Sequence, residues 1–236
     1  MQRFYISPPN LKGNQLSLSN QRILHQTNKV LRMRPNDFFH AFNETEGEFL
    51  FQIEAIDKRK LVGKKIKKIE NHAEPKLEVS LYQAIPKKPA TLELIVQKAT
   101  ELGVSHIYPT ITERTQKKRL PKFERLQLIA MEATEQCGRL KIPTIHHPVD
   151  FEEVIPTLSH PYMAYEMEQE KYLQDYEKQL HQKSELQLII GPEGGFSEKE
   201  VAFAKKHKVP SFSLGPRILR METAAIVGLG IFLLKQ

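Results

Sequence analysis

A chain of 236 residues can form one large domain or two small ones with a genuine core, and its formal net charge of +7 favours an anionic partner, nucleic acid ahead of a membrane surface. One cysteine, Cys137, excludes an intramolecular disulfide and a multi-cysteine zinc site. The longest apolar stretch, Ala224 to Leu234, falls short of the roughly 20 residues of a membrane span, and Met1-Gln-Arg-Phe-Tyr-Ile lacks the apolar core of a signal peptide, so a cytoplasmic protein is expected.

Taken in order, Arg3 to Ser7 alternates as a strand, and Leu16 and Leu18 form another after the Gly13-Asn14 turn. Gln21 to Arg32 reads as a helix. From Asp37 to Glu70 short β runs dominate: 38–42, 49–53 and 66–69, divided by polar turns, which predicts a small β barrel. Its last strands carry Lys58, Arg59, Lys60, Lys64, Lys65, Lys67 and Lys68. Lysines also keep an edge strand from aggregating, but with Arg22, Lys29, Arg32 and Arg34 close in sequence this set reads as a surface for a phosphate backbone.

The segment 71–76, with Pro75, predicts a domain boundary, giving domains 1–72 and 73–236. Beyond it strands alternate with helices: a strand at 77–85, a helix with Leu92, Ile95, Val96, Ala99 and Leu102 on one face and Gly103 at its end, a strand at 104–109, and a helical stripe from Phe123 to Cys137. Further strands are expected at 142–146, 162–166, 186–190 and 211–214. This alternation predicts a parallel α/β sheet.

Two corners stand out. Leu186, Leu188, Ile189 and Ile190 form an apolar run suited to a strand covered on both faces. Gly191-Pro192 stops it, Gly194 and Gly195 are read as allowing positive φ and close approach to a ligand, and Ser197 with Glu200 is a capping box that opens a helix. The second corner repeats the plan: a strand to Leu214, a Gly215-Pro216 break, Arg217 and Arg220, then an apolar helix. Such loops meet at the carboxyl edge of a parallel sheet, where open α/β sheets bind ligands. The loops lack both the P-loop lysine and the dinucleotide glycine pattern, and Glu193 suits a cationic or hydrogen-bond-donating ligand. Tyr165-Glu166, at the end of a strand flanking the site, and Arg114, on a loop beyond Tyr108-Pro109, are placed beside it. His146-His147 is no metal pair, because neighbours in a strand point to opposite faces; no metal is expected.

Arg3-Phe-Tyr, residues 25–32, Gln97-Lys-Ala-Thr-Glu-Leu-Gly-Val104, Thr112-Glu-Arg114, Glu132-Ala-Thr-Glu-Gln136 with Gly138-Arg139, Ile190-Gly-Pro-Glu-Gly-Gly-Phe196 and residues 214–224 span nearly the whole chain. In this order they resemble the 16S ribosomal RNA uridine N3-methyltransferases, ribosomal small subunit methyltransferase E, of the SPOUT superfamily. The resemblance implies a PUA-like RNA-binding barrel, an α/β domain with a deep trefoil knot, bound S-adenosylmethionine, and a homodimer acting on N3 of a uridine in the decoding region of small-subunit rRNA. It carries cofactor contacts onto Leu214, Gly215, Ile218, Leu219, Met221 and Thr223, and adds Arg3 to the RNA-binding set. Arg217 and Arg220 are then the groups to hold phosphate or stabilise an anionic base, with Glu222 or Glu193 as the base. The rival class is a non-catalytic RNA-binding or ribosome-assembly factor, disfavoured by a glycine loop that a scaffold would not need.

Overall fold

In the computed structural model, which describes residues 1–8, 11, 13–116, 120, 122–176 and 183–234, the chain divides into two units. The first is Met1–Glu74 with Thr134–Lys141, and the second is Pro75–Ala133 with Ile142–Gln236. A boundary read along the sequence at 72/73 misses that residues 134–141 cluster with the first unit.

The first unit holds β1 (Arg3–Tyr5), β2 (Gln15–Leu18), α1 (Gln21–His25), β3 (Phe38–Asn43), β4 (Gly47–Ile56) and β5 (Leu61–Ile69) in one sheet of order β1-β3-β4-β5-β2. Among the described residues β1 and β2 stand at opposite edges of this sheet. Phe4, Phe39, Phe51, Ile53 and Leu61 fill its core. The helix expected over Gln21 to Arg32 is only partly α. Asn20 caps it by accepting from Arg22 N and Ile23 N, but Gln26–Val30 is a wider π turn. There Thr27 Oγ1 donates to Ile23 O at 2.9 Å and Asn28 Nδ2 to Leu24 O at 3.0 Å. Side chains thus compete for carbonyls that a regular helix needs, and the turn ends at Arg32 with φ 53°.

The second unit contains β6 (Glu78–Ala84), α2 (Pro89–Leu102), β7 (His106–Ile111), α3 (Phe123–Cys137), β8 (Thr144–Ile145), β9 (Val149–Asp150), α4 (Phe151–Val154), β10 (Pro161–Ala164), β11 (Glu185–Ile190), α5 (Glu198–Lys206), β12 (Ser211–Phe212) and α6 (Met221–Leu233), although the last turn of α3 clusters with the first unit. Its sheet runs β12-β10-β11-β6-β7-β8, with β9 beside β7, and every pairing is parallel. Strand β11 is buried on both faces, as its apolar run predicted. Leu186, Leu188 and Ile190 enter a core with residues of α2, α3 and α6, while Ile189 enters one with Phe151, Phe196 and Ala204. Burying each such side chain contributes about 1.5–3 kcal/mol. Gly103, at φ 109°, ends α2 as expected.

Several strands are shorter than the sequence predicted. The 142–146 strand shrinks to Thr144–Ile145, and those at 162–166 and 211–214 stop at Ala164 and Phe212. The residues released, Tyr165, Glu166, Ser213 and Leu214, line a cavity instead.

Candidate active site

Four adjacent strands deliver their loops to one sheet edge. Ala164 of β10 is in register with Ile190 of β11 and Phe212 of β12, and Ile190 is in register with Gln83 of β6. The loops leaving these carboxyl ends enclose a cavity of about 510 Å³. Open parallel sheets bind ligands at this position.

The first corner is fixed by a local network. Ser197 N donates to Glu200 Oε2 at 2.8 Å and Glu200 N to Ser197 Oγ at 3.2 Å, so the capping box forms and starts α5. The same pair anchors a distant segment: Ser197 Oγ donates to Glu113 Oε2 at 2.7 Å and Glu113 N to Glu200 Oε1 at 2.8 Å. That anchoring brings Arg114 over the corner, where Nη1 donates to Gly194 O at 2.5 Å. Arg114 does not itself line the cavity.

The two glycines differ. Gly195 has φ 69°, and a Cβ there would run into the Glu166 carboxylate. Gly194 is not at positive φ, contrary to the sequence expectation, and a Cβ on it would meet Arg114 Cδ at an ordinary 3.5 Å. At the second corner Gly215 has φ 115°, and apart from its chain neighbours no heavy atom of the described residues lies within 4 Å of its Cβ position. Ser213 Oγ donates to Gly215 O and accepts from Gly215 N, both at 3.2 Å. Upstream, Ser211 Oγ donates to Glu168 Oε2 at 2.5 Å, which holds that carboxyl below its ordinary range and secures the start of β12.

Of the residues expected at the site, Tyr165, Gly191, Glu193, Gly195, Leu214, Gly215, Arg217, Ile218, Leu219, Arg220, Met221 and Glu222 line the cavity; Gly194, Thr223 and Arg114 do not. Glu166, expected beside Tyr165 at the end of a flanking strand, lines it too; Lys87, Lys88 and Thr91 also line it, and no sequence motif had placed those three there. Glu193 has a structural task as well, because its Oε1 accepts the Lys87 N–H at 2.9 Å.

The RNA methyltransferase domain family matches residues 73–233, and an RNA methyltransferase PUA domain matches residues 29–66. The chain belongs to the RNA methyltransferase family. It is 34% identical over 230 residues to ribosomal RNA small subunit methyltransferase E of Rickettsia conorii, covering 96% of this chain and 93% of that protein. Among solved structures, the ribosomal RNA small subunit methyltransferase E of Neisseria gonorrhoeae bound to S-adenosyl methionine superposes with TM-score 0.87 at 28% identity, covering 98% of this chain and 96% of that one. A Legionella pneumophila methyltransferase structure in complex with the same cofactor gives TM-score 0.87 at 33% identity, covering 99% and 97%.

The PUA-bearing unit of this RNA methyltransferase sorts the expected RNA contacts by what they already touch. Arg3 donates to both Glu48 carboxylate oxygens at 3.0 and 2.9 Å and to the carbonyls of Thr134, Glu135, Gly138 and Arg139. Arg22 pairs with Glu135 through two bonds of 2.8 and 2.6 Å. Lys65 Nζ donates to Leu11 O at 2.6 Å and sits 4.0 Å over the Phe49 ring. These three cations, expected at an RNA surface, are engaged inside their own unit. Lys29, Arg32, Arg34, Lys64, Lys67 and Lys68 are exposed and have no carboxylate partner among the described residues.

Proposed function

We propose that this chain transfers a methyl group from S-adenosylmethionine to N3 of a uridine in the decoding region of 16S rRNA. The observation that carries the reading is the cavity at the carboxyl ends of β12, β10, β11 and β6, in an RNA methyltransferase domain whose solved relatives are bound to that cofactor. The lining suits such a ligand. Open space at Gly215 admits close backbone approach, Ile190, Leu214, Ile218, Leu219 and Met221 offer apolar surface to a flat ring, and Glu166, Glu193 and Glu222 offset a cationic centre.

When bound, S-adenosylmethionine supplies an electrophilic methyl group. Uridine N3 carries a proton and is a poor nucleophile until it is lost, so the chain's own groups must take that proton and stabilise the charge left behind. A Glu222 carboxylate oxygen receives the N3 proton in this reading, with Glu193 the other candidate. Arg217 or Arg220 holds the negative charge that then spreads onto the uracil oxygens. The remaining contribution is alignment of the reacting atoms, a matter of positioning. The reading includes a deep trefoil knot in the second unit, a homodimer with active sites near the subunit interface, and a cytoplasmic location.

Calorimetry with S-adenosylmethionine, followed by mass spectrometry of small-subunit rRNA treated with the enzyme and cofactor, tests this. Cofactor binding and one added methyl on a uridine N3 are expected. Absence of cofactor binding at physiological concentration returns the chain to an RNA-binding or assembly role, and methylation at another atom overturns the N3 assignment.

A further inference from the structure

We propose that Lys87 and Lys88 hold RNA phosphates flanking the target base, forming a second RNA-contact surface at the mouth of the catalytic cavity; this rests on the RNA-methylation reading. The two lysines leave β6, whose last paired residues lie beside the end of β11, so the strand order carries them to the cavity although they sit far from both glycine corners in sequence. Both are exposed and both line the cavity. The bond from Lys87 N to Glu193 fixes the backbone here without using either ammonium group. Neither lysine has a carboxylate partner within salt-bridge distance among the described residues, in contrast to Arg3 and Arg22.

Arg217 and Arg220 line the same cavity from the β12 side and are likewise exposed and without an ion-pair partner among the described residues. Between them Ile218 is 83% exposed. These four cations outnumber the carboxylates of the same lining, Glu166, Glu193 and Glu222, and leave it net positive, which favours a polyanion. A base can reach the cavity only if its own backbone crosses the rim. Lysine suits phosphate there because a mobile point charge demands no fixed geometry of the chain it holds.

The test compares wild type with K87A/K88A and K87R/K88R, using a small-subunit rRNA fragment for direct binding across a salt series, and S-adenosylmethionine calorimetry as a separate measurement. Each phosphate that is no longer neutralised lowers the slope of log affinity against log salt by about 0.7–0.9. The alanine pair is therefore expected to lower the slope by about 1.5, to weaken RNA binding roughly tenfold at moderate salt, and to leave cofactor affinity unchanged, while the arginine pair restores RNA binding. An unchanged slope overturns the proposal. So does a fall in cofactor affinity with RNA binding intact, which would assign the lysines to the cofactor's carboxylate. Because RNA binding is read without methyl transfer, an enzyme that transfers no methyl group would sink the functional reading while the slope still decides the lysines.

Discussion

Glu193 Oε1 accepts the backbone N–H of Lys87 at 2.9 Å, tying the glycine corner after β11 to the loop that leaves β6. One carboxylate therefore carries two separable contributions, a hydrogen bond between loops and a negative charge on the cavity wall. Glu193→Gln keeps an acceptor and removes the charge, whereas Glu193→Ala removes both. Glu193→Gln is expected to melt like wild type but to bind S-adenosylmethionine more weakly. Glu193→Ala should lose, in addition, about 1 kcal/mol of stability, as for a partly solvated hydrogen bond. Thermal unfolding and calorimetry on the two variants check this, and normal cofactor affinity in Glu193→Gln would leave Glu193 a purely structural tie.

Gly194 and Gly195 should respond differently to substitution. At φ 69°, and with the Glu166 carboxylate against its Cβ position, Gly195→Ala is strained by about 1–2 kcal/mol and must displace a cavity residue. Its cofactor affinity is expected to fall at least tenfold. Gly194→Ala meets only an ordinary contact with Arg114 and should bind nearly as wild type. Equal effects of the two would contradict this corner geometry.

On the first unit, Lys64, Lys67 and Lys68 are exposed on β5 while Lys65 is engaged with Leu11 and Phe49. Changing the three exposed lysines to alanine should flatten the salt dependence of RNA binding by up to about 0.9 for every phosphate they neutralise. Lys65→Ala should instead lower the unfolding temperature. A steep slope retained in the triple variant would assign those lysines to the solvated face of a strand.

Glu48 gives the first unit an acid-sensitive link. Burial pushes its carboxyl up, but hydrogen bonds from Arg3, His40 and Asn71, with the Arg3 charge, outweigh that and hold it at about 2 against an ordinary 4.5. A depressed folded-state value stabilises fully above about 4.5 and loses its contribution as pH falls toward 2, up to about 3 kcal/mol. Urea unfolding of wild type and Glu48→Gln should show a stability gap that is constant from pH 7 to 5 and narrows below 4.5. A gap that stays constant down to pH 3 would contradict the link.

Leu229 is fully buried, in a core with Leu188 and residues of α2, and a Cβ on neighbouring Gly228 would come within 3.0 Å of Leu188 Cδ2. Leu229→Asp therefore places an unpaired charge in the second unit's own core and should cost several kcal/mol. Cofactor affinity should fall with it, because residues 213–220 lead directly into α6. By contrast Val227, on the same helix, is exposed, as is Leu234 just past its end. Val227→Asp is expected to leave the unfolding temperature near wild type. A Leu229→Asp protein that melts normally would remove α6 from the core.

The amino-acid sequence by itself determined the two glycine corners, the Ser197–Glu200 capping box, the doubly covered β11 and the Gly103 helix stop, because each depends on residues within a few positions of one another, where periodicity and backbone preference act. It also carried the residues of the family motifs, and most of the expected cofactor contacts line the cavity. What only the tertiary structure decided depends on contacts between distant segments. The order β12-β10-β11-β6 is set by backbone hydrogen bonds over separations of tens to about a hundred residues, and it alone brings Lys87 and Lys88, in a loop with no motif of its own, to the cavity. Likewise Arg3 and Arg22 look like the exposed cations around them until Glu48, Glu135 and the carbonyls of residues 134–139 return to the first unit and take up their donors. Whether a cation is free for a ligand depends on the acids and carbonyls the fold places beside it, and neither composition nor spacing records those neighbours.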